Sequence, residues 1–248
     1  MESPSHMVGV FFGLKDEEAF ADGMRKSIRQ VRNGGIYAAD NIFTFNRNLG
    51  FLQNQKLMDA VRKHANTATE RAILWRQVVL AWAAQQGMKR EGDFVECACY
   101  KGTSARILCE YLDFDKSDKR YYLYDLFEHD ESMPHHAMEE HGADLYEKVV
   151  NRFKDFSNVT ITRGAVPGVL HDVAPEKIAF LHIDLNSAEA EIGALEILFD
   201  RMVPGAILVL DDYGWNFYYQ QQRAEDAWFA ARGYQVLELP TGQGLLIK

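Results

Sequence analysis

Two apolar segments of the sequence end in acidic residues. The segment "AILVL" at 206–210 is followed by Asp211 and Asp212. The segment "IAFLHI" at 178–183 is followed by Asp184. A buried carboxylate without a partner costs several kcal/mol, and three carboxylates converging from neighbouring strands would need a cation between them. Oxygen ligands without histidine or cysteine favour Mg²⁺ over zinc, so we predict a Mg²⁺ site at these three acids.

Two turns earlier in the sequence have residue types that suit a nucleoside ligand. The segment "VECACYKGTSARIL" contains an acid, small residues and Gly102 before Ser104 opens a predicted helix. Such a turn directs backbone N–H groups and a helix N-terminus toward an anionic or carboxylate-bearing ligand. The segment "YLYDLFE" places Asp125 where nucleoside-binding sheets commonly hold a carboxylate against ribose hydroxyls.

Alternating strands and helices after residue 92 would bring these acids to one edge of a sheet. The segments "GDFVECAC", "RYYLYDLF", "VTITRG", "KIAFLHIDL" and "GAILVLDDY" predict a mostly parallel, doubly wound α/β sheet of Rossmann-like type. The last two apolar segments, "YQVLELP" and "GLLIK", are joined only by "TGQ". So short a connection permits an antiparallel hairpin and excludes a parallel crossover. We therefore predict an antiparallel C-terminal edge hairpin. Ligands of such sheets bind at the carboxyl ends of the strands, where strand order reverses.

Helical patterns dominate the chain before that sheet. The segment "DEEAFADGMRKSIRQVR" alternates charged and apolar residues at helical spacing. In "TATERAILWRQVVLAWAAQQG", Thr67 and Glu70 have the spacing of a capping box, and Gly87 stands where the helix is expected to end. A long helix over this second segment is therefore predicted.

These patterns divide the chain into two regions. We predict a helical N-terminal extension over residues 1–66 and the sheet domain over residues 67–248. Within the extension, "NIFTFNRNLGFL" is rich in aromatic residues and interrupted by glycine, which suggests a lid that excludes water from a site.

Composition narrows the class of partner. The 248 residues are 47% hydrophobic with a formal net charge of −9, and the basic residues are spread along the chain. Binding to nucleic acid or an anionic membrane is therefore not expected. The apolar segments are too short to span a bilayer and no signal peptide is recognisable, which predicts a cytoplasmic protein. The three cysteines, Cys97, Cys99 and Cys109, do not form a disulfide pattern.

Five segments, taken in order, carry a family resemblance. From "GDFVECACYKGTSA" through "YLYDLFE", "HIDLN" and "MVPGAILVLDDYG" to "QQRAEDAWF", the sequence resembles the macrocin O-methyltransferase family, whose members modify sugars on antibiotics. The resemblance implies a class I methyltransferase fold, with residues 67–248 as the methyltransferase domain. It also implies S-adenosylmethionine as the methyl donor and Mg²⁺ bound at the positions of the three acids.

The resemblance assigns roles to residues of the predicted turns. It implies that Glu96, Gly102 and Ser104 line the methionine end of the cofactor. It further implies that Asp125 holds the ribose and that Gly164 lies near the adenine. The implied cofactor-binding residues are Glu96, Ala98, Tyr100, Gly102, Thr103, Ser104, Asp125, Phe127, Gly164 and Asp184.

A reaction follows from these assignments. Methyl transfer from a sulfonium is an in-line displacement that needs the acceptor oxygen held at near-attack distance. Mg²⁺ would orient vicinal hydroxyls and lower the pKa of the attacking one, and Asp184 is predicted to take its proton. The expected acceptor is a small polyhydroxylated molecule, such as a sugar of a natural product. The helical N-terminal region and the habits of the family also suggest a homo-oligomer.

Departures from the family pattern keep other functions open. Ala98 and Thr103 stand where the family usually has two glycines, and "LNSAEAE" follows Asp184 in place of "GDxYxST". These differences are compatible with a non-catalytic or accessory protein that still binds S-adenosylmethionine. A nicotinamide-dependent oxidoreductase is a third possibility, although the first turn lacks the G-x-G-x-x-G fingerprint.

Several histidines lie near these segments. His182 is two residues before Asp184 in an apolar strand, where a buried core histidine is expected. His135 and His136, with His141 nearby, belong to a polar segment that suggests a solvated loop, a contact with substrate or an alternative base.

Overall fold

The chain divides into two compact units, Met1–Val78 and Val79–Lys248. A computed structural model describes residues 4–32, 34–129 and 137–248. Across these residues, every helix is too short or too polar to cross a bilayer.

The first unit combines helices with a small sheet. Its elements are β1 (His6–Met7), α1 (Glu17–Ile28), β2 (Tyr37–Ala39), β3 (Ile42–Thr44), α2 (Gln55–His64) and α3 (Ala68–Ala72). β1 pairs parallel with β2, and β2 pairs antiparallel with β3. The sequence pattern predicted α1 and the helix that begins at α3 but not α2. It also missed this sheet, because strands of two or three residues are too short to show alternation.

The predicted capping box is confirmed at the start of α3. The side-chain oxygen of Thr67 accepts a hydrogen bond from the Glu70 backbone N–H at 3.1 Å, and Glu70 Oε2 accepts from the Thr67 N–H at 2.9 Å. The long helix predicted here is interrupted at Ile73, where ψ is 20°. It resumes as α4 (Leu74–Gly87), which ends at the predicted glycine and crosses the boundary between the two units.

The second unit contains the predicted sheet. Its further elements are β4 (Asp93–Cys97), α5 (Thr103–Leu112), β5 (Tyr121–Asp125), α6 (Leu145–Arg152), β6 (Val159–Arg163), α7 (Leu170–Val173), β7 (Ile178–Ile183), α8 (Ala188–Leu198), β8 (Met202–Leu210), α9 (Tyr219–Ala230), β9 (Leu237–Glu238) and β10 (Gly244–Ile247). The strands are ordered β6-β5-β4-β7-β8-β10-β9, and β4 to β8 are mutually parallel. The mostly parallel α/β fold is confirmed.

The C-terminal hairpin is antiparallel, as predicted, and its second strand lies inside the sheet. β10 pairs with β8 and places Leu246 opposite Leu208, and both side chains are buried. β9 forms the outer edge, and both of its residues are exposed. The apolar strand "GLLI" therefore takes the inner position, because it buries more apolar surface there than the short strand β9 would.

Strand order reverses at β4, which has β5 on one side and β7 on the other. All six residues of β7 are buried, as are the last four of β4. Polar groups that can face a ligand are therefore concentrated at the strand ends.

Candidate active site

A cavity of about 320 Å³ lies at the carboxyl ends of four parallel strands. Ala98 follows β4, Asp125 ends β5, Gly164 follows β6 and Asp184 follows β7, and all four residues line the cavity. The cavity therefore lies where strand order reverses, and its volume suits a small organic ligand.

The predicted cofactor-binding residues fall into two groups. Five of them line the cavity: Ala98, Tyr100, Asp125, Gly164 and Asp184. The remaining five lie outside the lining that the described residues form: Glu96, Gly102, Thr103, Ser104 and Phe127.

The turn after β4 has an unusual backbone. Ala98 and Tyr100 have positive φ angles of 67° and 49°, and Gly102 has a φ of 67°. A side chain at Gly102 would place its Cβ 2.7 Å from the ring of Phe153, so only glycine fits there. At Ala98, a left-handed backbone costs about 1–2 kcal/mol for a residue other than glycine.

Replacing Ala98 with glycine should therefore stabilise the domain and open the cavity. Relief of strain exceeds the entropic cost of glycine, so we expect the free energy of unfolding to rise by about 0.5–1 kcal/mol. We also expect several-fold tighter binding of S-adenosylhomocysteine, because Ala98 lines the cavity. Urea denaturation and calorimetry measure the two effects. Ala227→Gly, at an exposed position within α9, is the control and should lose about 1 kcal/mol.

Thr103 and Glu96 make contacts within the protein. Thr103 Oγ1 accepts a hydrogen bond from Nη1 of Arg152 at 2.9 Å and so joins α5 to α6. Glu96 is buried, and its Oε2 accepts a hydrogen bond from the Tyr121 hydroxyl at 2.6 Å. Thr103, which stands where the resembled family has glycine, therefore has a structural role.

Asp125 connects the turns that follow β4 and β5. Its Oδ2 accepts a hydrogen bond from the Tyr100 N–H, and its Oδ1 accepts one from the Phe127 N–H, both at 2.6 Å. These bonds fix the orientation of a carboxylate that is only 7% exposed. A carboxylate has about four acceptor sites, so Asp125 can still accept hydrogen bonds from a ligand.

A short segment beyond β5 covers part of the cavity. Met138 and His141 belong to the lining, and the rings of His141 and Tyr100 meet edge to face with their centroids 5.2 Å apart. The Tyr100 hydroxyl accepts a hydrogen bond from the Glu140 N–H at 2.9 Å. Sequence reasoning missed Met138 and left the role of His141 open between a solvated loop and a contact with substrate, because an irregular polar segment has no periodicity. His135 and His136 lie outside the described residues.

Asp184, Asp211 and Asp212 lie together, and we call them the acid triad. One side-chain oxygen from each lies within 4.8 Å of those of the other two. The backbone explains this proximity, because the Asp184 N–H donates to the Cys97 carbonyl and the Asp211 N–H donates to the Ile183 carbonyl. These bonds extend the strand pairing by one residue, so both acids occupy neighbouring strand ends.

His182 lies between two carboxylates. Its Nδ1 is 3.6 Å from Glu96 Oε1, and its Nε2 is 3.5 Å from Asp211 Oδ1. Burial alone would lower the pKa of His182, but interactions with Asp211 and Glu96 raise its pKa well above the usual value. The histidine is buried, as predicted, and it also connects Glu96 to the acid triad.

Two buried glutamates lie between α8 and α9. Glu191 and Glu225 are both fully buried, and Glu191 Oε1 accepts a hydrogen bond from the Leu185 N–H at 3.1 Å. Burial raises the pKa of Glu191 well above its usual value, and the neighbouring carboxyl of Glu225 raises it further. Burial also raises the pKa of Glu225, to about 7. Burial therefore favours the protonated form of both carboxyls over their ionised form.

Glu225→Gln should stabilise the protein in a pH-dependent way. The pKa of Glu225 is about 7 in the folded protein and the usual 4.5 in the unfolded chain, so the folded state binds the proton more tightly. The folded protein therefore loses stability as the pH rises from about 4.5 through 7. We expect the variant to gain about 2 kcal/mol over the wild type at pH 8 and little at pH 4.5. Urea denaturation at both pH values tests this, with Glu189→Gln, at an exposed position of α8, as the control. A gain that does not change with pH would contradict it.

The central part of the second unit matches a known domain. Residues 95–213 match a family model described as a methyltransferase domain. The match covers just under half of the chain. It runs from β4 to just beyond β8 and contains Asp125 and the whole acid triad. No curated protein matches the chain.

Solved structures resemble the chain at low sequence identity. The O-methyltransferase NovP is 16% identical, with 71% of this chain and 80% of that chain covered and a TM-score of 0.60. CalS11, a TDP-rhamnose 3′-O-methyltransferase of calicheamicin biosynthesis, is 16% identical over 82% of this chain and 96% of that chain, with a TM-score of 0.53. The SAH-bound methyltransferase PaMTH1 from Podospora anserina is 14% identical over 95% of this chain and 97% of that chain, with a TM-score of 0.51.

These similarities establish the fold as the Rossmann-like fold of methyltransferases.

Proposed function

We propose that the protein is a Mg²⁺-dependent O-methyltransferase that moves a methyl group from S-adenosylmethionine to a hydroxyl of a small polyhydroxylated molecule. The position of Asp184 carries the proposal. This residue lines the cavity and also belongs to the acid triad. A cofactor in the cavity would therefore lie next to a metal-bound acceptor.

The cavity has the groups that S-adenosylmethionine requires. Asp125 would accept hydrogen bonds from the ribose hydroxyls, since both of its oxygens are held in place by backbone N–H groups. Gly164 lies beside Asp125, because its N–H donates to the Asp125 carbonyl at 2.9 Å, and it would border the adenine. When bound, the cofactor supplies a methyl group on a sulfonium.

The acid triad has the donor set that Mg²⁺ prefers. Its three candidate ligands are carboxylates, and one oxygen from each lies within 4.8 Å of those of the other two, a spacing at which the group could hold a metal ion. When bound, Mg²⁺ would orient acceptor hydroxyls and lower the pKa of the attacking one. Asp184 would accept the proton of that hydroxyl, because it is the member of the triad that also lines the cavity.

A sugar or similar polyol is the proposed acceptor. The resemblance to macrocin O-methyltransferases supports it, as does the TDP-rhamnose that the name of CalS11 gives for that enzyme. Exposed aromatic residues also follow the triad along the chain. Phe217 is 72% exposed and Tyr219 is 46% exposed, and their faces could stack against the apolar side of a sugar ring.

Calorimetric titration with S-adenosylhomocysteine, with and without Mg²⁺, tests the proposal first. We expect binding by the wild type, followed by methylation of a sugar or polyol acceptor in an assay with labelled S-adenosylmethionine. Removal of divalent ions by a chelator should stop turnover and leave binding of S-adenosylhomocysteine intact. Binding of S-adenosylhomocysteine without turnover on any hydroxylated acceptor would favour an accessory role.

Absence of S-adenosylhomocysteine binding would overturn the methyltransferase proposal. The methyl group of Ala98 at the cavity wall would then be the first cause to examine, because this residue replaces a glycine of the resembled family. Restored binding in Ala98→Gly would identify that methyl group as the obstacle.

A further inference from the structure

The amide of Gln243 contacts the acid triad from the C-terminal hairpin. Its Nε2 donates a hydrogen bond to Oδ1 of Asp211 at 2.8 Å, and the side chain is fully buried. The sheet register creates this contact. Gly244 lies opposite Leu210 in the antiparallel pair. Gln243, which precedes Gly244, therefore lies beside Asp211, which follows Leu210.

A second residue of the turn contacts the amide of Gln243 at its other end. The Thr241 hydroxyl donates a hydrogen bond to Oε1 of Gln243 at 3.0 Å, and this threonine is also buried. The reverse orientation would place the amide oxygen against a carboxylate, which is repulsive. The amide N–H groups therefore point toward Asp211.

The turn itself is anchored to the segment that follows the triad. Gly242 has a φ of 79°, and a Cβ at this position would lie 2.3 Å from Nε1 of Trp215. The Gly214 N–H donates to the Gly242 carbonyl at 2.7 Å. Gln243 is therefore held by contacts on both sides of the turn.

An amide suits this position for an electrostatic reason. His182 Nε2 already lies 3.5 Å from the same oxygen of Asp211. The amide adds a hydrogen bond there without a further positive charge that would compete with a cation, as lysine or arginine would. Outer-shell hydrogen bonds of this type orient metal ligands.

We propose that Gln243 is a positioning residue that holds Asp211 in the orientation in which the acid triad binds a divalent cation. The proposal rests on the metal site of the proposed function. It adds a residue that lies 32 positions from Asp211 in the sequence and outside the matched domain segment.

Mn²⁺ binding, measured by electron paramagnetic resonance on the whole chain, tests the proposal. Gln243→Met keeps the length of the side chain and removes the donor, and we expect about 10-fold weaker Mn²⁺ binding. Affinity for S-adenosylhomocysteine should stay within about twofold, since the residues lining the cavity are unchanged. Gln30→Met, the same exchange at an exposed position of the first unit, should leave both affinities unchanged.

A double-mutant cycle separates positioning from a general structural effect. In an Asp211→Asn background, Gln243→Met should cause no further loss of Mn²⁺ affinity, because its effect passes through Asp211. An equal further loss in that background, or unchanged affinity of the single variant, would overturn the proposal.

The wild type without Mn²⁺ binding and a Gln243→Met variant that does not fold are two further possible results. If the wild type does not bind Mn²⁺, the metal site of the proposed function fails, and this proposal fails with it. If Gln243→Met does not fold, Thr241→Val replaces it as the test. That variant leaves the amide in place but removes the bond that orients it, so about threefold weaker Mn²⁺ binding is expected. Unchanged affinity in Thr241→Val would then count against the proposal.

Discussion

The double variant Asp211→Asn/Asp212→Asn is expected to bind Mn²⁺ at least about 10³-fold more weakly than the wild type, with little change in affinity for S-adenosylhomocysteine. It removes two of the three carboxylates of the acid triad and keeps the shape of both side chains. Loss of an outer-shell contact alone costs 10- to 100-fold in metal affinity, so loss of two direct ligands should cost more. Cofactor affinity should survive, because Asp184, the triad residue that lines the cavity, is retained.

Titrations of Mn²⁺ and of S-adenosylhomocysteine on the same preparations measure both effects. Asp200→Asn is a matched control, because its side chain is 93% exposed and it does not belong to the triad. Unchanged Mn²⁺ affinity in the double variant would place the metal elsewhere. If the double variant loses affinity for both Mn²⁺ and S-adenosylhomocysteine, the metal site and the cofactor site are not separate as proposed.

Asp125→Ala is expected to weaken S-adenosylhomocysteine binding about 100-fold. A hydrogen bond to a charged group contributes about 1.5–3 kcal/mol, so loss of the bonds to the ribose hydroxyls should cost about 3 kcal/mol. Mn²⁺ binding by the acid triad should persist. Calorimetric titration measures the change, and Asp118→Ala, which removes an exposed aspartate, should have no effect.

A modified ligand can separate the ribose contact from damage to the turns. Asp125 also accepts hydrogen bonds from Tyr100 and Phe127, so its loss could disturb both turns. The 2′,3′-dideoxy analogue of S-adenosylhomocysteine lacks the hydroxyls, and it should bind the wild type and Asp125→Ala with similar affinity. A 100-fold difference for the analogue as well would show that Asp125 acts only through the turns.

Much of the fold could be predicted from the sequence because its signals are local. Apolar segments of four or more residues predicted the strands of the second unit, and the three-residue connection "TGQ" predicted the hairpin. The capping box at Thr67 is also a local pattern. The sheet of the first unit was missed, since its strands have only two or three residues.

Some residues of the candidate site could also be predicted from the sequence, and others could not. Asp125, Asp184 and Asp211 could be found from the sequence because each ends or follows a buried strand, and parallel strands bring such residues to one edge of a sheet. His141 was indicated only as part of a polar loop with more than one interpretation, and Gln243 was not indicated at all. Their contacts depend on an irregular segment and on the pairing of strands far apart in the sequence.

The sequence by itself determined the strand-helix order, the acids at the strand ends and the glycine that opens α5. Tertiary structure decided that β10 lies inside the sheet, that Glu191 and Glu225 face each other, and that Gln243 reaches Asp211. The physical reason is the range of the interactions. Propensity, capping and turn chemistry act over a few residues, whereas strand order and buried hydrogen bonds depend on which distant segments pack together.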